Sequence, residues 1–270
     1  MKPQGPDRDR GFALLVVLWS VVLLTLLGTQ LTAAGRMEAQ LASNLRAAAV
    51  AEAAADGAVQ EAAFHLLDPR EPWAADGQER TLRVPGAFVA VLIENEARKV
   101  NPNLAEPELM RALLRRLGTD TQAAERVADA IADWRFPGAQ PRPNGAKAPQ
   151  YRAAGLDYAP PGTPFADVDE LGAVLGMTPA LLAALRPHLS VLTEAGPDPA
   201  VATLPVRQAL QDVLGRPLPP TAAGPLRTVM VTARATGDAG GHFTRRATLR
   251  LGLTAKEPPV LFLTWEAPPD

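Results

Sequence analysis

Residues Phe12 to Gly35 read FALLVVLWSVVLLTLLGTQLTAAG, 24 residues without a single charge. About 20 consecutive apolar residues are enough for a helix to span a bilayer. The leader before them, Met1 to Gly11, carries Lys2, Arg8 and Arg10 against Asp7 and Asp9. That slight basic excess favours a cytoplasmic leader and a chain that crosses the membrane before Gly35. Two general readings suit the stretch. One is a cleaved secretory signal with Thr32-Ala33-Ala34 as a small-residue cut site; the other is a plain single-pass anchor. The stretch is longer than the roughly 7–15 residues of a signal core, which counts against the first. A third reading turns on the junction Arg10-Gly11-Phe12 and on the sequence downstream of Gly35.

Composition bounds the remainder. After Gly35 roughly 235 residues follow, enough for one large domain or two small ones. The net charge of −2 provides no global field that would draw the chain to nucleic acid. No cysteine is present, which excludes disulfides, a thiol nucleophile and a cysteine metal site. The 27 prolines and 21 glycines imply many loops. His65, His188 and His242 are far apart, and no HExxH, GxSxG or P-loop pattern occurs. Asp129 and Asp133 are four apart on one predicted helix face, beside Arg126 and Arg135, and read as a solvated pair. No residue is named as catalytic, and a non-enzymatic role is expected.

From Arg36 to Leu67 the sequence is amphipathic. Met37, Leu41, Leu45, Ala48, Ala55, Val59, Ala63 and Leu66 form one helical stripe. Asp68-Pro69 ends the run, because proline cannot continue a helix and restricts the residue before it. Phe12 to Leu67 therefore reads as one helix of about 55 residues, roughly 80 Å long. Its second half is expected to lay the stripe on a soluble body. Arg70 to Gln78 reads as a loop. Thr81–Val84, a Pro85-Gly86 turn and Phe88–Ile93 read as a hairpin.

Beyond Arg98 the pattern turns helical. VNPNLAEPELMRALLRRLG presents Leu109, Leu113, Leu114 and Leu117 on one face and closes on Gly118. In TDTQAAERVADAIADWR the apolar face is Ala124, Val127, Ala128, Ile131 and Trp134, with Thr119 or Thr121 as expected N-cap. Phe136–Ala148 and Tyr151–Pro164 read as loops. A short helix is expected after Phe165, capped by Asp167 with Glu170 in capping-box position. The next helix is expected to be capped by Thr178, with Pro179 in its first turn. PDPAVATLPVRQALQDVLG then aligns without a gap, 97 residues on, with VNPNLAEPELMRALLRRLG. Six positions are identical, including Pro102/Pro199, Ala105/Ala202 and Gly118/Gly215. The end is β again, with strands over Val229–Ala235, Phe243–Leu253 and Val260–Trp265. Because the flanking strands need each other to bury a face, the helical block reads as an insert between strands of one sheet.

These segments, taken in order, carry a family resemblance. Arg-Gly-Phe before an unbroken apolar helix resembles a type IV prepilin-type leader. GFALLVVLW, RMEAQLASNLRAAAVAEAAADGAV, ENEARKVNPNLAEPEL, ADAIADWR and PFADVDELGAVLGMTPALLAALRPHLSVL together resemble the K-class minor pseudopilin of type II secretion systems. The resemblance covers roughly Gly11 to Leu192 and, more loosely, the β-rich end. It implies an α+β fold, with a pilin-like long N-terminal helix packed on a small antiparallel sheet and a large all-α domain inserted between the strands. The division it suggests is 1–11 leader, 12–35 transmembrane half-helix, 36–97 pilin-like core, 98–222 inserted helical domain with two related units, and 223–270 closing strands.

The resemblance also implies cleavage by a prepilin peptidase between Gly11 and Phe12, and methylation of Phe12. Leu14, Leu15, Val16, Leu18 and Trp19 would belong to the membrane and assembly helix. Most pilin-like chains carry Glu at the fifth residue after the cut, where its carboxylate neutralises a neighbour's N-terminus; here that residue is Val16. A subunit at the tip has no neighbour above it to pair with, and the K class likewise lacks this Glu. The implied partners are the I- and J-class minor pseudopilins, other pseudopilins, the peptidase and the inner membrane, with the body periplasmic and the subunit at the pseudopilus tip. There it would start assembly and help move folded proteins across the outer membrane.

Two departures shape the expectations. Family members often bind calcium through an acidic cluster after the Trp at the helix end. Here Trp134-Arg135 runs into Phe136-Pro137-Gly138-Ala139-Gln140, without a carboxylate, so no cofactor is expected; Asp167, Asp169 and Glu170 are a spare acidic group. The second concerns the segment Arg98–Arg135, which also resembles a helix-hairpin-helix. The alternative function is thus a membrane-tethered DNA-binding protein of an uptake system. DNA affinity needs a basic surface, and this segment has seven basic and six acidic residues. No nucleic acid is expected.

Overall fold

The computed structural model describes residues 7–218, 222–254 and 256–268, with backbone only at 7–11, 13 and 27–36. The first element is a single helix, α1, Asp7–Leu67. It begins upstream of the expected Phe12 start, so Gly11 and Phe12 lie inside helical backbone; residues 1–6 of the expected leader fall outside the described residues. Alanine dominates its upper half and suits a long helix intrinsically.

After α1 come five strands: β1 Asp76–Val84, β2 Ala87–Asn95, β3 Thr228–Gly237, β4 His242–Leu251 and β5 Val260–Glu266. They form one antiparallel sheet in sequence order. β1 starts inside the stretch expected as loop. β2 alternates as a half-buried strand must, with Ala87, Val89, Val91 and Ile93 fully buried. Together with Val229, Val231, Ala233, Ala247 and Leu249 they pack on Ala51, Ala55, Ala58, Val59 and Ala62 of α1. The small helix residues let backbone and sheet approach closely: a Cβ on Gly241 would fall 2.2 Å from the Ala47 carbonyl oxygen.

The expected helix stripe is only half used. Ala55, Val59 and Ala63 are buried, whereas Met37, Leu41 and Leu45 are 75%, 60% and 63% exposed. The sheet is shorter than the helix, so burial starts near Ala47. Contacts with α1 give the direction of the strands. Gly241 lies beside Ala47 and Gly86 beside Val50. Four residues along β4, Arg245 reaches Glu52 and Asp56. β4 therefore climbs the helix, and the opposite ends of β2 and β3, at Asn95 and Thr228, lie on the side away from the apolar half of α1.

The helical insert leaves and returns there. Asn95 pairs with Val229 in register, so the insert's two ends emerge side by side. Its helices are α2 Pro107–Arg116, α3 Thr121–Arg135, α4 Ala148–Ala153, α5 Pro179–Leu185 and α6 Leu204–Leu214. It has its own core, in which Leu109, Leu113, Leu114, Val127, Ile131 and Trp134 meet Tyr151, Phe165, Leu171 and Val206. Trp134 stacks on Phe165 at 6.0 Å between ring centroids.

Several local expectations are corrected. Asp120, not a flanking threonine, caps α3, because its carboxylate reaches the Ala123 amide at 3.0 Å. α4 occupies part of a stretch expected as loop; one and a half turns are too few to show a period. The segment after Asp167 is a 3-10 turn, Val168–Ala173. Glu170 does not close a capping box there; it accepts from the Ala166 amide and the Trp134 indole.

α2 and α6 start 97 residues apart and pack on each other. The turn before each is the same, bond for bond. The Asn101 carboxamide oxygen accepts from the Asn103 amide as the Asp198 carboxylate accepts from the Ala200 amide. The two backbone carbonyls accept from Leu104 and Ala105, and from Val201 and Ala202. Both helices end on a glycine with positive φ, Gly118 and Gly215.

Candidate assembly surfaces

Three regions hold what the sequence offers for function: the lower half of α1, the root of the insert, and the loop closing α3.

On α1 the described apolar side chains from Phe12 to Leu26 are all exposed. Leu14 is 74% and Trp19 72% exposed, and Leu15, Val16 and Leu18 half exposed or more. They make an uncovered apolar band far too large for an ordinary solvated surface, and Met37, Leu41 and Leu45 further along the helix are exposed as well. The hydroxyls in it are satisfied inside the helix: Ser20 donates to the Val16 carbonyl at 2.8 Å and Thr25 to the Val21 carbonyl at 2.7 Å. Such internal bonding is what a site without water requires. Among the described residues no helix is long and apolar enough to cross a membrane. The side chains of 27–36, which complete the apolar stretch in sequence, lie outside them.

At the root, the ENEARKVNPN segment works as a clasp. Asn95 caps the turn Glu96–Arg98 through the Ala97 amide. Glu96 and Lys99 form a buried ion pair at 2.6 Å. Val100 pairs in parallel with Leu189. Asn101, 3% exposed, donates to the carbonyls of Val191 and Thr193. Asn103 exchanges two hydrogen bonds with the Phe165 backbone. Arg135 donates to the carbonyls of Asn103 and Ala105. These roles escaped the sequence reading. The signal was present in two asparagines flanking Pro102, a turn-forming pattern, but their long-range partners are set by the fold. His188 is half-buried, with Nδ1 3.0 Å from the Thr203 hydroxyl; burial and the nearby Arg98 and Lys99 hold its pKa below the usual 6.5.

At the end of α3, Asp129 and Asp133 are not solvated as expected. They are 7% and 3% exposed and point into the following loop. Asp133 accepts from the Arg142 amide at 3.0 Å, and Asp129 from the Asn144 amide at 3.3 Å. Burial pushes the Asp133 carboxyl up, against the pull of the Arg142 and Ala146 amides and of the Lys147 and Arg142 charges. Tyr151, fully buried, accepts from the Leu175 amide, and burial raises it to about 12.

The calcium that the resemblance implies does not fit these residues. No group of three carboxylates or histidines converges among the described residues. Asp167 binds the Asp169 amide, Asp169 pairs with Arg186, and Glu170 holds Trp134. The α2–α3 hairpin is equally ill-suited to DNA phosphates. The amides of Gly118, Thr119 and Ala123 bond internally, and Asp120 places a negative charge at the turn.

The arrangement defines a class: a pilin-like α+β protein whose helical insert sits between two adjacent strands. Comparison with known proteins gives the family. The profile of the type II secretion system (T2SS), protein K, matches residues 89–194. Type II secretion system protein K of Klebsiella pneumoniae is 31% identical over 229 residues, 75% of this chain and 69% of that one. Its namesake in Dickeya chrysanthemi is 38% identical over 85 residues, 32% of this chain and 23% of that one. In fold, the chain is similar to one in the crystal structure of the GspK-GspI-GspJ complex from enterotoxigenic Escherichia coli. The TM-score is 0.62 at 17% identity, covering 87% of this chain and 99% of that one. The chain belongs to the type II secretion system protein K family.

Proposed function

We propose that this chain is the minor pseudopilin at the tip of the type II secretion pseudopilus, where it initiates assembly with I- and J-class pseudopilins and helps export folded proteins across the outer membrane. The observation that carries this reading is the place of the insert. It emerges beside Asn95 and Thr228, at the end of the sheet away from the apolar half of α1. A bulky domain there occupies the space into which a further subunit would stack. The name of the solved E. coli complex, which joins K to I and J, supports the choice of partners.

In this reading a prepilin peptidase cuts between Gly11 and Phe12, and Phe12 is methylated. The helix from Phe12 to about Ala34 holds the subunit in the inner membrane, with the body in the periplasm. On assembly Leu14, Leu15, Val16, Leu18 and Trp19 exchange lipid for the helices of neighbouring subunits, and the stripe Met37, Leu41 and Leu45 extends that contact. The role is mechanical and not enzymatic. The test is to express the full chain with the I and J pseudopilins, with and without the peptidase. A mature chain beginning at methylated Phe12, recovered with I and J in equal amounts, is the expected result. An uncut chain, or one that polymerises alone into long filaments, overturns the reading.

A further inference from the structure

The closing loop of α3 shows what stands where the family's calcium was implied. The last carbonyls of a helix have no partner inside it and need an outside donor or cation. Here Lys147, 6% exposed, sends its ammonium to the carbonyls of Asp133 and Phe136, at 2.5 Å each. The Trp134 carbonyl between them accepts from the Gly162 amide. Arg142, whose side chain lies 3.8 Å from the Asp133 carboxylate, returns to the same helix end. The loop is drawn so tightly over Asp133 that a Cβ on Gly145 would fall 1.9 Å from its Oδ2.

Calcium needs about six to eight oxygens, several of them charged and free to turn toward it. The oxygens that face this loop are Asp129, Asp133 and two carbonyls, and each is already engaged by an amide, a guanidinium or an ammonium. The two carboxylates are balanced by two cations of the chain itself, so an added dication would meet Lys147 and Arg142 as like charges. A cation at a helix C-terminus is also favoured by the helix dipole.

We propose that Lys147, assisted by Arg142, replaces a bound divalent cation at the end of α3, so that the insert holds its shape without calcium. This replacement is confined to the loop and holds whether or not the subunit occupies the tip.

Calorimetric titration of the full-length protein in detergent with calcium chloride tests it directly, together with thermal unfolding in chelator and in millimolar calcium. No stoichiometric binding and the same unfolding temperature in both buffers are expected. Stoichiometric binding, or a calcium-dependent rise in that temperature, overturns the proposal. Lys147→Met is expected to unfold roughly 4–8 °C below the parent, the shift of a lost buried interaction in a chain of this size. Lys147→Arg, which keeps the cation, is expected to recover most of that shift. An unfolding temperature unchanged in Lys147→Met shows that the ammonium organises nothing, and also refutes the proposal. If Lys147→Met does not fold, the titration of the parent protein still decides.

Discussion

The clasp at the root of the insert depends on Asn101, and the size of that dependence can be worked out. Its carboxamide makes three hydrogen bonds: two from Nδ2, to Val191 O at 3.3 Å and Thr193 O at 2.7 Å, and one accepted from the Asn103 amide at 2.8 Å. The side chain is almost wholly buried. Replacing it with alanine strands these groups, and a buried polar group left without a partner costs about 1–3 kcal/mol. Because the chain is close to the surface at Val191, water enters part of the vacated space, and a total of about 2–4 kcal/mol is expected for Asn101→Ala. The loss is local, since the sheet retains its own core on α1. Hydrogen exchange read by mass spectrometry on the full chain is the suitable assay. Amides of residues 97–104 and 186–195 should exchange roughly 30- to 700-fold faster, at about 1.4 kcal/mol per tenfold. Those of β2 between Val89 and Ile93 should hardly change. Asn101→Asp should be at least as damaging at neutral pH, because it aims a carboxylate at two carbonyls, and should improve in acid. Exchange within about threefold of the parent over residues 97–104 would refute the reasoning.

Three other parts of the molecule lead to expected outcomes. Arg245, 8% exposed, ties β4 to α1 through Asp56 at 2.6 Å and Glu52 at 3.1 Å. Both partners can rehydrate, so Arg245→Met should lower unfolding free energy in urea by about 1–2 kcal/mol, well below the cost of a fully buried broken pair. His188 has its folded pKa below 6.5. Above pH 6.5 it is neutral in both states; as the pH falls through 6.5 the unfolded chain takes up the proton first, so stability is lost until the lower folded pKa is reached. The urea midpoint should therefore fall between pH 7.5 and 5.5 by more in the parent than in His188→Gln. Two glycines separate by their surroundings. Gly57→Ala meets nothing within 4 Å on a helix and should stabilise by about 0.5–1 kcal/mol, whereas Gly145→Ala strikes Asp133 and should destabilise by about 2 kcal/mol or more, both read from thermal or urea unfolding.

What the sequence by itself determined is what depends on local period and composition. The apolar run from Phe12, the alanine-rich stretch stopped by Pro69, and the alternation of Val89, Val91 and Ile93 need no distant partner to be read. The apolar faces Leu109/Leu113/Leu114 and Val127/Ile131/Trp134 were legible for the same reason. The 97-residue echo foretold that α2 and α6 begin at matching positions, because an Asx turn is a local device. Only the tertiary structure decided how much of the α1 stripe would be covered, since that depends on where a shorter sheet ends along a longer helix. It also decided that Asp129 and Asp133 are buried. Four-residue spacing shows that two carboxylates share a face, but not that a loop about ten residues later folds back with its amides, a glycine and Lys147. Asn101 and Asn103 were visible as turn formers, yet their bonds to Thr193 and Phe165 span 92 and 62 residues. Periodicity carries information over one or two turns of chain; hydrogen bonds across such separations exist only once the core has brought the segments together.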